Sequence, residues 1–306
     1  MPKVVAIVNP NAASGGGRAQ WELLQDEVKT IFPDLKVLFT EAQSHATELT
    51  RMSVQEGADV IIAAGGDGTF HEIMNGLFDH EKFIRPSVTL GFIGIGTGCD
   101  TLRSLGIGLD QAKQIEVIRQ GKKKLLDMGK VDLVDHHGHP RHRYFFNGSS
   151  FGLGASIIRN VNRSEKRWGT LGFLLPALRA YRSFSPTRVL LTIDNRMTVE
   201  EYVMNVIVCN GPLSGAGMRW TRKSKMDDGL LEIVTIRRIH FLKVLWSLPK
   251  LYMGKLETLK EVTVYQVKEL KVTGDLDLPI ECEGEEPGKL PAIFSVIPHR
   301  LQVFVP

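Results

Sequence analysis

A short glycine-rich segment, Gly65-Gly66-Asp67-Gly68-Thr69, carries the residues best suited to chemistry in this chain. It follows an apolar run and precedes a helical pattern, so its glycines let backbone N–H groups approach phosphate oxygens at the positive end of a helix dipole. Asp67 would repel a triphosphate unless a divalent cation lay between them, or unless it faced the hydroxyl group that accepts the phosphate. The segment therefore predicts phosphate binding with a catalytic carboxylate. The alternative is an ordinary glycine turn with an aspartate cap.

Two further turn-rich segments, Asn9 to Gly17 and Gly94 to Asp100, also follow apolar runs. The runs before the three loops are predicted to be strands at Val4–Val8, Val60–Ala64 and Val88–Ile93. Open α/β sheets bind ligands at the carboxyl ends of their strands, so three such loops favour one ligand site. No segment matches the GxxxxGKS or GxxxxGKT phosphate loop or a well-placed GxGxxG, which excludes a Walker ATPase and a standard dinucleotide site.

Strand and helix patterns alternate through the first part of the chain, which predicts βαβ units around a mainly parallel sheet. The helices are predicted at Arg18–Ile31, Ser44–Glu56 and Phe70–Phe78. We place this α/β nucleotide-binding domain at residues 1–129. Two short strands are predicted around Pro298-His299-Arg300, and residues 292–306 would return to complete the domain.

Residues 130–291 have a different pattern, with β-branched and alternating segments that predict a mostly antiparallel β-sandwich as the second domain. Its strands are predicted at Arg143–Phe146, Arg188–Ile193, Thr198–Cys209, Leu230–Ile236 and Glu261–Val272. Asp194-Asn195 is the expected turn of a hairpin. Helical insertions are predicted at Trp168–Tyr181 and His240–Met253.

The composition excludes several classes of protein. The 306 residues are 43% hydrophobic and 24% charged with a net charge of +4, which suits an anionic ligand or an anionic membrane surface but no nucleic acid. The three cysteines lack CxxC or zinc-type spacing, which indicates reduced thiols. The apolar run before Asn9 is too short for a signal peptide, and no stretch of ~18 apolar residues predicts a bilayer span. We therefore expect a cytoplasmic protein, with peripheral attachment to a membrane left open.

Motifs along nearly the whole chain occur in the order typical of one family of kinases. In the first half they are Asn9-Pro10 with Ser14-Gly15, Thr40 with His45-Ala46, Gly65 to Glu72 with its GGDGT signature, Gly96 to Asp100, and Leu126 to Lys130. In the second half they are Lys225 to Leu230 and Glu283-Gly284-Glu285. On these motifs the chain resembles the diacylglycerol kinase catalytic-domain family, which includes sphingosine kinases, ceramide kinases and bacterial soluble lipid kinases.

The resemblance implies ATP in a cleft between the two domains, with the lipid substrate bound by the β-rich domain. The residues that it assigns to nucleotide binding are Asn9, Pro10, Asn11, Thr40, Gly65, Gly66, Asp67, Gly68, Thr69, Phe70, His71, Gly96 and Thr97. It assigns a magnesium ion to Asp228 and to the carbonyl groups of Lys225 and Leu230. The candidates for the shell around that ion are Asp67, Asp100 and Asp127. A hard cation with oxygen ligands agrees with this carboxylate-rich, thiol-poor set.

The implied reaction transfers the γ-phosphate of ATP to a lipid hydroxyl group. Glu283 would accept the hydroxyl proton, while Glu285 and Asp67 would orient the metal and the substrate. The chain departs from the family at two positions. Glu283 replaces the aspartate that acts as general base in bacterial members, which moves the carboxylate by one methylene group, and Cys99 replaces an asparagine, which removes an amide.

Two alternatives remain open from the sequence. GGDGT also occurs in NAD kinase-like and phosphofructokinase-like phosphotransferases, although Asn9-Pro10, Asp227 to Gly229 and Glu283 to Glu285 favour a lipid kinase. The other alternative is a catalytically inactive relative that binds nucleotide or lipid. The acceptor lipid can be diacylglycerol-like, a sphingoid base, another glycerolipid or a polyprenol, and a homodimer is open as well.

The segment from Ile236 to Met253 mixes cations with large apolar side chains, and Trp168 to Leu178 is also rich in apolar residues. Packing of two helices in the core explains both segments. Basic amphipathic helices that contain Trp also suit a membrane interface, so membrane contact is an equal alternative.

Overall fold

The structure is a computed structural model that describes residues 2–96, 98–162, 180–181, 184–215, 217–275 and 277–306. The chain forms two compact units, Met1–Met128 with Pro298–Pro306, and Gly129–Ile297. No helix in the described part of the chain is both long enough and apolar enough to cross a membrane.

The first unit is built on a parallel sheet. Its strands are β1 Val4–Val8, β2 Lys36–Phe39, β3 Val60–Gly65 and β6 Thr89–Gly94, with a small hairpin of β4 Phe78–Asp79 and β5 Lys82–Phe83. The four long strands lie in the order β2-β1-β3-β6 and pair in parallel. Gln302 and Val303 of the last strand of the chain also pair with β6 in parallel. Every residue of β1, β3 and β6 is buried, as expected for parallel strands covered on both faces.

Helices alternate with these strands. They are α1 Ala12–Gly15, α2 Gly17–Ile31, α3 His45–Gln55, α4 Asp67–Gly76, α5 Asp100–Ser104 and α6 Gln111–Gln120. Trp21 and Val28 of α2 and Ile115 of α6 are buried. The predicted α/β class with a mainly parallel sheet is confirmed.

The helix predicted to begin at Ser44 begins one residue later, and Ser44 occupies the position before it without capping it through its side chain. Ser44 has φ 67° and makes no side-chain cap bond, and the helix begins at His45. The carboxylate of Glu72 on α4 serves instead, because it accepts hydrogen bonds from Ser44 N at 2.9 Å and Ala46 N at 3.1 Å. A distant carboxylate thus satisfies the free N–H groups at this helix start.

The second unit is mostly antiparallel. Its strands, two of which extend into the first unit, are β7 Lys123–Val134, β8 Pro140–Phe145, β9 Gly148–Gly152, β10 Thr187–Ile193, β11 Met197–Val203, β12 Asn205–Cys209, β13 Leu231–Ile236, β14 Val262–Val267, β15 Glu269–Gly274, β16 Pro279–Cys282 and β17 Glu285–Phe304. Its helices are α7 Leu153–Asn162, α8 Phe241–Tyr252 and a 3₁₀ turn at Leu256–Thr258.

Two antiparallel paths share β17 and enclose one apolar core. One path runs β14-β13-β12-β9-β16-β17, and the other runs β11-β10-β15-β17. Phe151 of β9 and Phe294 of β17 are fully buried and stack with ring centroids 6.0 Å apart. The predicted antiparallel β-sandwich class of this domain is confirmed, and so is the Asp194-Asn195 turn, where both residues have positive φ.

Two predicted strands are each divided in the structure. Thr198–Cys209 is interrupted at Met204, whose N–H bonds to the carbonyl of Ile236, so that β11 and β12 pair with different neighbours. Glu261–Val272 is interrupted at Lys268, whose N–H donates to Asp194 Oδ1 at 2.8 Å.

Two other predictions concern segments near the helical insertion and the end of the chain. The helix predicted at Trp168–Tyr181 lies outside the described residues except for 180–181. The two strands predicted around Pro298 are one strand, β17, with a local irregularity at His299, where φ is 50°.

Candidate functional site

The carboxyl ends of four parallel strands bring the predicted phosphate-binding loops to one edge of the sheet in the first unit. Thr40, Asn9 and Ile95 directly follow β2, β1 and β6, while Gly65 ends β3. Each strand end is joined to its neighbour by a backbone hydrogen bond: from Thr40 N to Val8 O (2.9 Å), from Asn9 N to Ala64 O (2.9 Å), and from Ile95 N to Gly65 O (2.8 Å). Parallel pairing therefore assembles loops that are separated by up to 86 positions in sequence, from residue 9 to residue 95.

The glycines of the GGDGT loop differ in what they provide. A Cβ atom on Gly65 would lie 2.6 Å from Oγ1 and 2.7 Å from Cβ of Thr69, so packing inside the unit requires glycine there. A Cβ atom on Gly66 or Gly68 would meet no atom within 4 Å, and neither residue has positive φ. Neither packing nor backbone conformation therefore requires glycine at these two positions. A ligand that approaches the backbone closely would require it.

The Asn9 loop is fixed against the GGDGT loop. Asn9 Nδ2 donates a hydrogen bond to Thr69 Oγ1 at 3.1 Å. Ala13 and Ser14 have φ of 52° and 58°, so the short segment α1 is a left-handed turn rather than a regular helix, and it leads into α2. The predicted site residues Pro10 and Asn11 lie between β1 and this turn. The Asn9-Pro10 motif and the GGDGT motif, which are far apart in the sequence, are therefore in direct contact in the structure.

Asp67 connects the two glycine loops. Its Oδ2 accepts a hydrogen bond from Asp100 N at 2.8 Å, and its Oδ1 accepts one from Thr101 N at 3.0 Å. These are the first two N–H groups of α5, which have no partner inside that helix. The carboxylate thus holds the Gly94 to Asp100 loop next to the GGDGT loop, whatever else it does.

Cys99, the residue that departs from the family motif, is buried beneath this loop. Its Sγ lies 3.8 Å from the carbonyl oxygen of Gly65. Burial, assisted by the negative charge of Asp67, raises the pKa of the Cys99 thiol to about 12. The side chain is therefore a neutral packing element that faces the protein.

The remaining predicted nucleotide residues have less open surroundings. Phe70 and His71 are buried, and the Phe70 ring meets the Phe92 ring edge to face with centroids 5.0 Å apart. Thr40 is also buried. Gly96 has φ 128°, a conformation that favours glycine. The predicted contact at Thr97 lies outside the described residues.

Asp100 and Asp127, predicted for the metal shell, both have partners within the first unit. Asp100 Oδ1 lies 3.2 Å from Arg103 Nη1. Asp127 is fully buried, and its Oδ1 accepts a hydrogen bond from His299 N at 2.8 Å. Asp127 therefore stabilises the irregular backbone at His299, where β17 returns to this unit.

In the second unit, Glu283 occupies the turn between β16 and β17. Its φ is 51°, and the following Gly284 has φ 87°. Glu283 Oε1 accepts three backbone hydrogen bonds, from Phe146 N (3.0 Å), Asn147 N (2.6 Å) and Gly148 N (3.1 Å). Three N–H groups at one oxygen compensate the carboxylate charge and fix the direction of the side chain.

Glu281, which we did not predict from the sequence, supports that turn. Its Oε1 accepts a hydrogen bond from Gly284 N at 2.6 Å, and its Oε2 accepts one from Ser150 Oγ at 2.8 Å. Burial raises the pKa of Glu281, and these two hydrogen bonds oppose the rise. The predicted Glu285 lies opposite Cys282 on the other strand of the hairpin. Its charge partly offsets the burial that lowers the pKa of Arg143.

The segment predicted to bind magnesium forms the turn before β13. Asp228 is exposed, and its Oδ1 accepts a hydrogen bond from Leu230 N at 3.1 Å. Gly229 has φ 70°, which allows the tight turn. Lys225 is exposed at the start of the segment.

Glu232, a second residue missed from the sequence, makes this segment suitable for a cation. It is fully buried, its Oε1 accepts from Gln266 Nε2 at 3.0 Å, and its Oε2 has no hydrogen-bond partner among the described residues. Burial raises the pKa of Glu232, the hydrogen bond from Gln266 opposes the rise, and the charge of Asp228 adds to it. A divalent cation would satisfy the orphaned oxygen and relieve the repulsion between the two carboxylates, so these residues fit such an ion. The sequence feature that could have indicated this residue is a glutamate inside the apolar strand sequence Leu-Leu-Glu-Ile-Val, because a buried carboxylate needs a partner.

Two family models match successive parts of the chain. The family model described as the diacylglycerol kinase catalytic domain matches residues 3–131, and the model described as the YegS C-terminal NAD kinase beta sandwich-like domain matches residues 148–305. The chain is 26% identical to a candidate lipid kinase of Bacillus subtilis strain 168, YtlR, over 97% of each protein. It is 23% identical to the diacylglycerol kinase of Staphylococcus carnosus strain TM300, over 87% of this chain and 83% of that protein.

A solved structure has the same fold. The crystal structure of a candidate diacylglycerol kinase from Bacillus anthracis strain Sterne superposes with a TM-score of 0.80 at 24% identity. The superposition covers 99% of this chain and 97% of that one.

Proposed function

Because the chain belongs to the diacylglycerol kinase catalytic-domain family, we propose that it transfers the γ-phosphate of ATP to the hydroxyl group of a lipid. A kinase-type function follows from the family and from the relatives, and the donor and the acceptor are the proposal. The observation that carries it is the open space beside Gly66 and Gly68. Glycine is needed at these positions only if a ligand approaches the backbone at the start of α4, where N–H groups and the helix dipole favour phosphate.

The proposed chemistry needs little covalent participation by the protein. The lipid oxygen forms a bond to the γ-phosphorus, the bond from that phosphorus to the β–γ bridging oxygen breaks, and ADP leaves. The hydroxyl proton passes to the carboxylate of Glu283, whose Oε1 accepts three backbone hydrogen bonds. Those hydrogen bonds support the proposal because they hold the base in one direction before the substrate arrives.

Magnesium is the proposed metal. Asp228 and the carbonyl groups of Lys225 and Leu230 would hold it, and the buried charge of Glu232 would increase the affinity of the segment for a cation. When bound, a magnesium ion supplies positive charge that stabilises phosphate groups. Asp67 would act mainly by holding the two glycine loops together, through its bonds to the N–H groups of Asp100 and Thr101.

The test is transfer of labelled phosphate from γ-labelled ATP to diacylglycerol, sphingoid bases and polyprenols in mixed detergent micelles. Glu283→Gln keeps the shape of the side chain but removes its capacity to take a proton, and general-base catalysis typically contributes ~10²–10⁴-fold. We expect at least a hundredfold fall in kcat with little change in ATP affinity. Glu200→Gln, at an exposed ion pair with Arg188, is the matched control and should leave the rate unchanged.

A second candidate, phosphorylation of NAD, is favoured by the NAD kinase-like description of the sandwich domain. NAD and sugar phosphates as acceptors in the same assay distinguish it from a lipid kinase. Labelled NADP without labelled lipid would reject our proposal. ATP binding without transfer to any acceptor would support the inactive relative instead.

A further inference from the structure

Helix α8 of the second unit has large apolar side chains on the face opposite its buried residues. Ser247 and Leu251 are buried beneath it. On the opposite side Leu242 is 59% exposed and Trp246 is 84% exposed. The exposed large apolar side chains of α8 and the residue after it recur at intervals that place most of them on one side of the helix: Leu242, Leu245, Trp246, Leu248, Tyr252 and Met253. We call this set the apolar stripe.

The sequence around the stripe carries cations and no acidic residue. From Ile236 to Leu256 there are five Lys or Arg residues and no Asp or Glu. Arg237 and Arg238 are exposed just before the helix. Lys243 forms an ion pair with Glu261 Oε2 at 2.7 Å, and Arg237 Nη2 donates a hydrogen bond to the carbonyl of Lys260 at 2.8 Å.

Further cations lie at the other end of α8. Arg222 Nε donates a hydrogen bond to the carbonyl of Met253 at 3.0 Å. The side chains of Arg219 and Arg222 both approach the position that a Cβ atom on Gly254 would take, within 2.9 Å. The stripe is therefore bordered by arginines at both of its ends.

We propose that α8 and these flanking arginines form a docking surface for an anionic lipid bilayer. A helix with exposed Trp, Tyr and Leu along one side and cations beside them lies in the interface plane, with its apolar side chains ~5–10 Å into the headgroup region. Trp246 and Tyr252 have the amphipathic aromatic rings that are enriched at that depth. Each Lys or Arg near an anionic surface raises the partition coefficient by roughly fivefold.

A second copy of the chain fits this surface less well. In a two-fold dimer the same patch meets itself, so the stripe of one protomer would carry its arginines against those of the other. With no acidic residue between Ile236 and Leu256, nothing in that segment would neutralise them. Anionic lipid headgroups supply the missing charge.

Sedimentation with vesicles tests the surface without nucleotide, so its outcome is separate from that of the proposed kinase activity. The vesicles are phosphatidylcholine alone or phosphatidylcholine mixed with phosphatidylglycerol. We expect the wild-type protein to bind the anionic vesicles more tightly, with binding weakened by salt. The Leu242→Ser/Trp246→Ser double variant should bind at least tenfold more weakly. Leu23→Ser is the matched control, because Leu23 on α2 is also 84% exposed, and it should bind as the wild type does.

Each other outcome overturns the proposal. Absence of wild-type binding to both kinds of vesicle, or equal binding by the double variant, would show that the stripe is not a membrane surface. Binding that ignores lipid charge and salt would reject the role of Arg237 and Arg238. A wild-type dimer in light scattering that the double variant loses, together with no vesicle binding, would assign the stripe to a second copy. Thermal unfolding of the double variant checks that it is folded.

Discussion

Replacing Gly68 with alanine adds a methyl group where a Cβ atom would meet no protein atom within 4 Å. Gly68 lies in the first turn of α4 and its φ is not positive. Alanine is favoured over glycine inside a helix by ~0.5–1 kcal/mol, and a change of 1 kcal/mol moves the Tm of a large domain by about 2–4 °C. The variant should therefore unfold at the wild-type temperature or a few degrees higher.

Affinity for ATP should change in the opposite direction. The methyl group would occupy space that a phosphate group takes in the proposed site. A hydrogen bond between a backbone N–H and a charged acceptor contributes ~1.5–3 kcal/mol, and ~1.4 kcal/mol is tenfold in affinity. Loss of one such bond predicts a Kd for ATP that is roughly ten- to one-hundredfold higher. Titration calorimetry with a non-hydrolysable ATP analogue and magnesium measures it, and Gly66→Ala should behave in the same way.

Gly65→Ala is the control in which folding should suffer instead. Its Cβ atom would lie 2.6 Å from Thr69 Oγ1, so the loop must move. Overpacking of this kind costs ~1–3 kcal/mol, which corresponds to a fall in Tm of several degrees. A Gly68→Ala protein that binds the ATP analogue as tightly as wild type would refute the proposal that the open space holds phosphate. A large fall in the Tm of the Gly68→Ala protein would refute the argument that this position has room for a methyl group.

Three further predictions concern the carboxylates and the thiols. Asp67→Asn leaves one N–H group at the start of α5 without its acceptor, so we expect a stability loss of ~1–2 kcal/mol together with loss of transfer, measured by calorimetry and labelled ATP; full activity and unchanged Tm would contradict this. The raised pKa of Glu232 means that the folded state holds the proton of this carboxyl group more tightly than the unfolded state does. In the presence of a chelator, the wild type should therefore lose stability relative to Glu232→Gln as the pH rises above 4.5. Magnesium should stabilise the wild type more than the variant. A Tm difference that is independent of pH and of magnesium would exclude this role. Cys99, Cys209 and Cys282 are all buried with raised pKa, so a thiol reagent should label none of them at mildly alkaline pH until the protein is unfolded; rapid labelling of the native protein would show that one is accessible.

Local sequence patterns predicted the features that depend on neighbouring residues. The parallel strands, the two glycine loops at their carboxyl ends and the Asp194-Asn195 turn all follow from short segments whose chemistry is self-contained. Thr198–Cys209 was predicted as one strand because its apolar pattern has no visible break. The interruption at Met204 arises from pairing with β13, about 30 residues later.

The residues that stabilise the candidate site and were not predicted also depend on partners that are distant in the sequence. Glu281 is held by Ser150, 131 positions earlier, and Ser44 depends on Glu72 rather than on its own hydroxyl group. No local pattern contains such partners. Glu232 was detectable in part, because a carboxylate in an apolar strand needs compensation, but Gln266 on the neighbouring strand becomes its partner only after β13 and β14 pair.

The pairing of Gln302 and Val303 with β6 affects how the chain folds as it is synthesised. Thr89 on β6 donates a hydrogen bond to Gln302 across 213 positions of sequence. At ~5–20 residues per second, a ribosome needs about 10–40 s to add that length of chain. During this time β6 is the unpaired edge of an otherwise apolar sheet, which is a site where wrong strands can add. The first unit can therefore complete its sheet only after the second unit has been made. A chaperone that covers the β6 edge during this time would improve the yield of folded protein, and a slower ribosome would lengthen the exposure of that edge.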